Sequence, residues 1–253
     1  AALAGVLMIL TGVVSAAALA VATIGFLQDF VAVPEKISIA ILVVGMGAIA
    51  AWGIGKSVAV VTVITLIEVG ALLYAAAVAE AGPLDVAAQW RQFVPPLEKP
   101  AWLGIFSGAF LAFYAFIGFE DMATMAEEVK DARRNLPRAI IISVLLTILL
   151  YLVVAMIAIA SIGPAALAAS NTPVAAMVAG HSWYSTTGLG VVSLLTGLNG
   201  ALVQIIMASR VVYGMARQDG TPAPNWLARV NPRTHTPLRA TVLITAVILV
   251  LAL

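Results

Sequence analysis

The acidic residues inside long apolar stretches are the side chains of this sequence with the greatest capacity for chemistry. Glu68 lies in the otherwise uncharged run VTVITLIEVGALLYAA. An ionised carboxylate at the centre of a bilayer costs about 2.5–3.5 kcal/mol on insertion scales, and desolvation favours the neutral acid. Such a group can bind and release a proton as its access to water changes. The alternative is a protonated glutamate that hydrogen-bonds a neighbouring helix and fixes packing.

A second acidic pair, Glu120 and Asp121, closes the aromatic run GAFLAFYAFIGFED. Counting about 20 residues from Trp102 at an outer interface places both carboxyl groups near the inner membrane edge. A solvated helix end with Lys130 as a counter-charge explains them equally well. Gly118 interrupts the same run. It permits either close helix packing or a broken helix whose freed backbone groups bind substrate, and the local sequence alone favours packing.

Four polar side chains lie in the apolar stretch 186–209: Ser193, Thr196, Asn199 and Gln204. Thr196, Asn199 and, less closely, Gln204 fall near one face at helical spacing. They either line a pathway or hydrogen-bond across helices, and the second role is the more common one for small polar residues.

The composition leaves little support for other kinds of site. The sequence has no cysteine, and its histidines, His181 and His235, fall in polar connecting stretches, so a metal site lacks ligands. An intramembrane serine hydrolase, the enzyme alternative, would need a histidine within a span, and no Gly-x-Ser-x-Gly turn is present. A net charge of +1 offers no basic stripe for nucleic acid. We therefore expect no enzyme activity, no catalytic residue, no metal, no cofactor and no nucleic-acid partner.

The apolar stretches that position these residues predict an all-α integral membrane protein. Of 253 residues, 62% are hydrophobic and 10% are charged, whereas soluble domains are about 25% charged. The stretches are continuous and show no period of two, which favours helices over barrel strands. All twelve prolines fall between them. We predict one partial transmembrane domain over residues 1–253, with spans at about 1–28, 37–54, 57–80, 101–125, 139–162, 186–209 and 238–253.

The distribution of basic residues predicts the orientation in the cytoplasmic membrane. Ten of the thirteen lysines and arginines lie at the second, fourth and sixth connections, and three lie at the first and third. Basic connections face the cytoplasm, so Ala1 is expected on the cytoplasmic side and Leu253 on the outer side. Both ends of the sequence lie inside apolar runs, and we therefore expect a piece of a longer chain. The small residues of LAGVLMILTGVVSAAALAVATIG predict a first helix central in the bundle.

Three stretches carry a family resemblance. FYAFIGFEDMATMAEEVKDARRNLPRAI, residues 113–140, strongly resembles the sixth helix and following loop of permeases in the amino acid–polyamine–organocation superfamily, although Ala132 replaces a usual proline. ASRVVYGMARQDGTPAPNWLARVNPRTHTPLRA, residues 208–240, is similar to the end of the eighth helix and the loop to the ninth. SNTPVAA, residues 170–176, is similar to the outer loop before the eighth helix. The resemblance covers essentially the whole chain, as the third to ninth helices of the family.

This resemblance implies a bundle of the leucine-transporter type, with inverted repeats and broken first and sixth helices. It implies a secondary active transporter, symporter or antiporter, that moves amino acids or related amines by alternating access, with proton coupling or exchange. The alternative to a transporter is a membrane subunit or assembly partner with the same fold and no transport activity. The formation of a homo-oligomer is left open. The residues expected to bind the amino acid substrate are Tyr114, Ala115, Phe116, Ile117, Gly118 and Asn199.

The resemblance also assigns proton coupling and gating. Glu120 matches an acidic position that several relatives use to link proton state to gating, and we expect it to face the protein interior. Glu68 is a departure, because many relatives carry a lysine at the comparable place. A carboxylate reverses the sign of the charge that protonation changes. We expect Glu68 to point toward the predicted span 186–209, where Asn199 or Thr196 can donate to it. We also expect that the span containing Gly118 is not one continuous helix.

Overall fold

The computed structural model describes residues 2–28, 31–79, 94–114, 129–170, 173–178, 183–218 and 224–253, together with residues 116, 118, 119, 122 and 126. Throughout this part of the chain the regular secondary structure is helical, which confirms the all-α prediction. Four of the helices are long and apolar enough to cross a bilayer: Ala2–Gln28, Gly55–Val78, Ala132–Ala169 and Gly188–Ala216.

The helices follow the predicted apolar stretches. In chain order they are α1 (Ala2–Gln28), α2 (Glu35–Ala51), α3 (Ile54–Val78), α4 (Lys99–Tyr114), α5 (Ala132–Ala169), α6 (Pro173–Met177), α7 (Trp183–Ala216) and α8 (Leu238–Ala252), with a 3-10 helix at Asn225–Ala228. Three of them, α2, α4 and α8, have 17, 16 and 15 residues, fewer than the roughly 20 that a full crossing needs. Their crossing of the bilayer stays a prediction.

Helix α5 extends beyond the predicted span 139–162 at both ends and includes Pro137 and Pro164. Pro137 lies in the second turn, where its missing N–H leaves a single carbonyl of the first turn without its usual donor. Pro164 follows Gly163, which has φ 78° and ψ 159°. That backbone conformation is essentially restricted to glycine, so α5 consists of two helical segments that meet at a kink. The first segment contains the predicted span.

The chain forms two compact units. The first contains Ala1–Gly70 and Gly190–Leu253, and the second contains Ala71–Leu189. In the first unit, α1, α2 and α8 pack against one another, and the buried side chains of α7 join the same core. Helix α1 contributes mainly small residues to this core, with Ala16 and Ala20 fully buried. The predicted central place of the first helix therefore agrees with its packing within this unit, while a single domain over residues 1–253 stays a prediction.

Glycines allow α1 and α7 to approach closely within the first unit. Gly12 of α1 faces Met207 and Ala208 of α7, and Gly197 of α7 faces Thr23 of α1. A methyl group at Gly197 would overlap the Thr23 hydroxyl. That hydroxyl donates to the Leu19 carbonyl at 2.6 Å, which fixes its rotamer. The contact sets the separation of the two helices near the polar residues of α7.

The second unit has smaller apolar cores. One contains Ala75, Val178 and Leu189 with Ala71 and Val174 against it. The other contains Ala79, Ala158 and Met177, with partly buried neighbours that include Val154 and Leu167. The short helix α6 packs on α5.

We predict that Gly197→Ala destabilises the protein, because the new methyl group and the Thr23 hydroxyl cannot occupy the same space. Overpacking of this kind costs about 1–3 kcal/mol. The midpoint of thermal unfolding in detergent should fall by several degrees. Gly214→Ala is the matched control, because it lies on the same helix with open space around the added methyl group. Equal midpoints for the two variants would show that the α1–α7 contact tolerates a wider separation.

Candidate functional site

The carboxyl group of Glu68 meets the side-chain amide of Asn199 inside the first unit. Glu68 and Thr65 lie one helical turn apart on α3, and Asn199 lies on α7. The Asn199 amide nitrogen donates to Thr65 Oγ1 at 3.0 Å and to Glu68 Oε2 at 3.3 Å. Only 7% of Asn199 is exposed. Both hydrogens of this buried amide are therefore used to join α3 to α7.

Buried acceptors outnumber donors around this pair. Within the part of the chain that the structure describes, Glu68 Oε1 and Asn199 Oδ1 are buried and have no hydrogen-bond partner. The Thr196 hydroxyl also lies near the carboxyl group, but it donates to the Val192 carbonyl at 3.0 Å. A buried acceptor without a donor costs about 1–3 kcal/mol. A proton on Glu68 would add one donor, so the arrangement suits the neutral acid.

The expected contact between Glu68 and Asn199 is thus confirmed. Thr196 was the alternative donor, and its hydroxyl lies near both the carboxyl group and the Val192 carbonyl. Substrate binding by Asn199 stays a prediction, and its amide hydrogens are donated to Thr65 and Glu68 on α3. Thr65 is not among the predicted site residues, although it precedes Glu68 by three residues and therefore shares its helix face.

The aromatic helix α4 ends before Gly118. Its last residue is Tyr114, and beyond it the Phe116 amide donates to the Phe113 carbonyl at 3.0 Å in a turn. Gly118 has φ 120°, which is far from helical values and is rarely adopted by residues with a Cβ. The prediction that this span is not one continuous helix is confirmed, and the preference for simple packing at Gly118 is wrong.

Three aromatic rings gather at the end of α4, within the second unit. The Phe116 ring stacks on Phe119 with centroids 6.0 Å apart, and the edge of Tyr151 meets it at 5.8 Å. These separations are typical of favourable ring pairs. Tyr151 lies on α5 and carries no signal in the sequence that would connect it with Phe116. The three rings form an aromatic cluster beside the break after Tyr114.

Other predicted site residues lie outside the described residues. Ala115, Ile117 and Glu120 are among them, so the interior position of Glu120 stays a prediction. Tyr114 is described only as the last residue of α4. In the described part of the chain, no group of three or more histidine, aspartate or glutamate side chains is placed to hold a metal ion.

Comparison with known proteins gives a consistent result along the chain. Residues 1–253 match the family model described as amino acid permease. An uncharacterized transporter of Mycobacterium tuberculosis is 33% identical over 204 residues, which are 80% of this chain and 43% of that protein. A vacuolar cationic amino acid transporter of Arabidopsis thaliana is 32% identical over 213 residues, which are 80% of this chain and 32% of that transporter. A branched-chain amino acid permease of Bacillus subtilis is 34% identical over 157 residues, which are 60% of this chain and 32% of that permease. The chain spans less than half the length of these relatives.

We predict that Gly118→Ala strains the break, because alanine must adopt φ near 120° there. Strain of this kind costs about 1–3 kcal/mol. The thermal unfolding midpoint should therefore fall by several degrees. Gly108→Ala is the matched control, since Gly108 lies within α4 with open space around an added methyl group. A variant at Gly118 as stable as the control would contradict the glycine requirement.

Proposed function

The chain belongs to the amino acid permease family, and from this premise we propose that it forms part of a secondary transporter that moves an amino acid or related amine by alternating access. The family match over residues 1–253 and the transporters among its relatives support this proposal. The protein acts as a carrier and not as an enzyme. It lies in the cytoplasmic membrane, with the Ala1 side facing the cytoplasm, as the lysine and arginine distribution predicts.

The hydrogen bond between Glu68 and Asn199 carries the proposed mechanism. Glu68 binds the coupling proton, and Asn199 holds the carboxyl group against α7 in both protonation states. In the neutral state the acid adds a donor where two buried acceptors, Glu68 Oε1 and Asn199 Oδ1, have no partner in the described structure. In the ionised state, Oε2 still accepts from the amide at 3.3 Å. Water that enters the site stabilises the carboxylate and allows the proton to leave.

The sign of the charge favours closure of the protonated site. Protonation makes Glu68 neutral, so the protonated site can close to water without burying a charge. The carboxylate would cost about 2.5–3.5 kcal/mol in the centre of the bilayer. Closure is therefore easier for the loaded, protonated protein than for the deprotonated one. A lysine at this place has the opposite preference, because its protonated form is the charged one.

The break after Tyr114 is proposed as the substrate site. Backbone groups at this break receive the substrate ammonium group, while the aromatic ring of Phe116 closes over the bound substrate. The half-buried position of Phe116 and the positive φ of Gly118 support these roles. Glu120 is proposed to link its own proton state to gating.

We predict that Glu68→Gln flattens the pH dependence of amino acid uptake while substrate binding changes less than about threefold, well under 1 kcal/mol. Glutamine keeps the shape and an acceptor for Asn199 but cannot release a proton. The measurement is uptake of a radiolabelled amino acid panel by the intact transporter in liposomes, at several pH values, beside equilibrium binding of the same substrates.

Thr65→Val is the matched control for this experiment. It removes the other acceptor of the Asn199 amide and leaves the titratable group in place, so its pH profile should keep the wild-type shape. An unchanged pH profile in Glu68→Gln, at normal expression, would overturn the coupling role and leave Glu68 as a packing residue. Substrate binding without uptake in the wild-type protein would favour the non-transporting subunit.

A further inference from the structure

Two separate segments bring basic and tryptophan side chains together at one end of the first unit. The turn after α2 supplies Trp52, the first turn of α3 supplies Lys56, and the segment 225–239 supplies Trp226 and three arginines. Contacts hold the segments together, since Thr236 Oγ1 donates to the Ala51 carbonyl at 3.2 Å. Thr236 is 3% exposed. We call this surface the basic face; it consists of Trp52, Lys56, Trp226, Arg229, Arg233 and Arg239.

The side chains of the basic face lie outward. Trp52 and Trp226 are 58% and 48% exposed, and Lys56, Arg229, Arg233 and Arg239 are all exposed. The Lys56 ammonium lies 4.7 Å from the centroid of the Trp52 ring. Arg239 Nη1 donates to the Trp226 carbonyl at 3.3 Å. Each tryptophan is therefore linked to a cation of the same surface.

The two segments carry almost no compensating negative charge. The sequences 31–67 and 224–253 contain one acidic residue, Glu35. Glu35 begins α2 and Ala51 ends it, and at 1.5 Å per residue the two lie about 24 Å apart. That distance exceeds the Debye length of about 8 Å at physiological salt. Four cations thus share one small surface with no acidic partner from these two segments, while Asp219 lies outside the described residues.

The place of this surface identifies its partner. It lies where the apolar helices α2, α3 and α8 begin or end, and α3 is long and apolar enough to cross a bilayer, so its start is expected at the membrane surface. Exposed tryptophan is typical of that level, because its ring suits the boundary between headgroups and acyl chains. Basic residues beside membrane helices attract the phosphates of anionic lipids, and an arginine guanidinium can bind a phosphate through two hydrogen bonds.

We propose that the basic face is a binding site for the phosphate headgroup of an anionic phospholipid. The arginines and Lys56 bind the phosphate, and the two tryptophans contact the adjoining glycerol and acyl chains. A soluble acidic protein would satisfy the charges but would leave both rings without an apolar partner. The proposal uses neither Glu68 nor the residues of the break after Tyr114, and it does not depend on the transport activity.

The test is competition between lipids for the purified intact protein. Phosphatidylglycerol and phosphatidylcholine are added together in equal amounts to the protein in neutral detergent, and bound lipids are counted by native mass spectrometry. The wild-type protein should retain phosphatidylglycerol preferentially. Lys56→Gln combined with Arg233→Gln should lower that preference roughly tenfold, because each basic residue at an anionic surface adds to the attraction. Added salt should lower the wild-type preference as well.

The matched control is Lys36→Gln combined with Lys99→Gln. It removes the same charge from two exposed lysines of the predicted outer connections and should leave the preference unchanged. An equal loss in both double variants would show attraction by net charge alone and overturn the site. No preference in the wild-type protein would also overturn it, as would displacement of the lipid by millimolar inorganic phosphate, which would indicate a soluble anion as the ligand.

Discussion

A carboxyl group among apolar helices must be neutral or paired, because lipid offers no water to solvate its charge. Glu68 meets this constraint through a neighbouring helix: the Asn199 amide donates to one carboxyl oxygen, while the other oxygen is buried without a partner in the described structure. The pairing is incomplete, since Glu68 Oε1 and Asn199 Oδ1 are buried without a hydrogen-bond partner in the described structure. One added proton corrects part of that imbalance, so the state of the site responds to protonation.

The geometry of this pair depends on how closely the helices pack. Asn199 is held in place because α7 lies against α1. This close approach depends on Gly12 and Gly197, where an added methyl group would overlap the facing helix. In a bilayer such contacts stabilise helix association through close packing, because apolar side chains gain nothing by leaving lipid. The buried amide then adds a directional constraint between α3 and α7. Small residues thus set the distance between helices, and polar residues set their register.

Much of this arrangement could be predicted from local patterns. Apolar runs predicted the helices, and the motif around Gly118 predicted the interruption after Tyr114. The pairing of Glu68 with Asn199 followed from the cost of an unpaired carboxylate and the polar face of α7. Other features depend on contacts between distant segments. The Tyr151 ring beside Phe116 and the basic face arise only when separate helices pack. The prediction that every proline lies between helices is wrong for Pro137 and Pro164, which lie inside α5. A helix tolerates proline near its start or at a glycine kink.

The two polar features of the chain differ in what they can contribute to transport. In the proposed substrate site at the break, the binding groups belong to the backbone, and these are fixed dipoles whose charge does not depend on pH. Such groups suit the binding of a charged substrate, since they remain constant while the substrate enters and leaves. Glu68 has the opposite property, because it changes charge while its amide contact is kept. A coupled transporter needs both kinds of group, as a site that only binds cannot use a proton gradient and a group that only titrates cannot select a substrate. In the proposed mechanism the titratable carboxyl group is paired with the Asn199 amide, so proton binding alters the cost of closure while backbone groups bind the substrate.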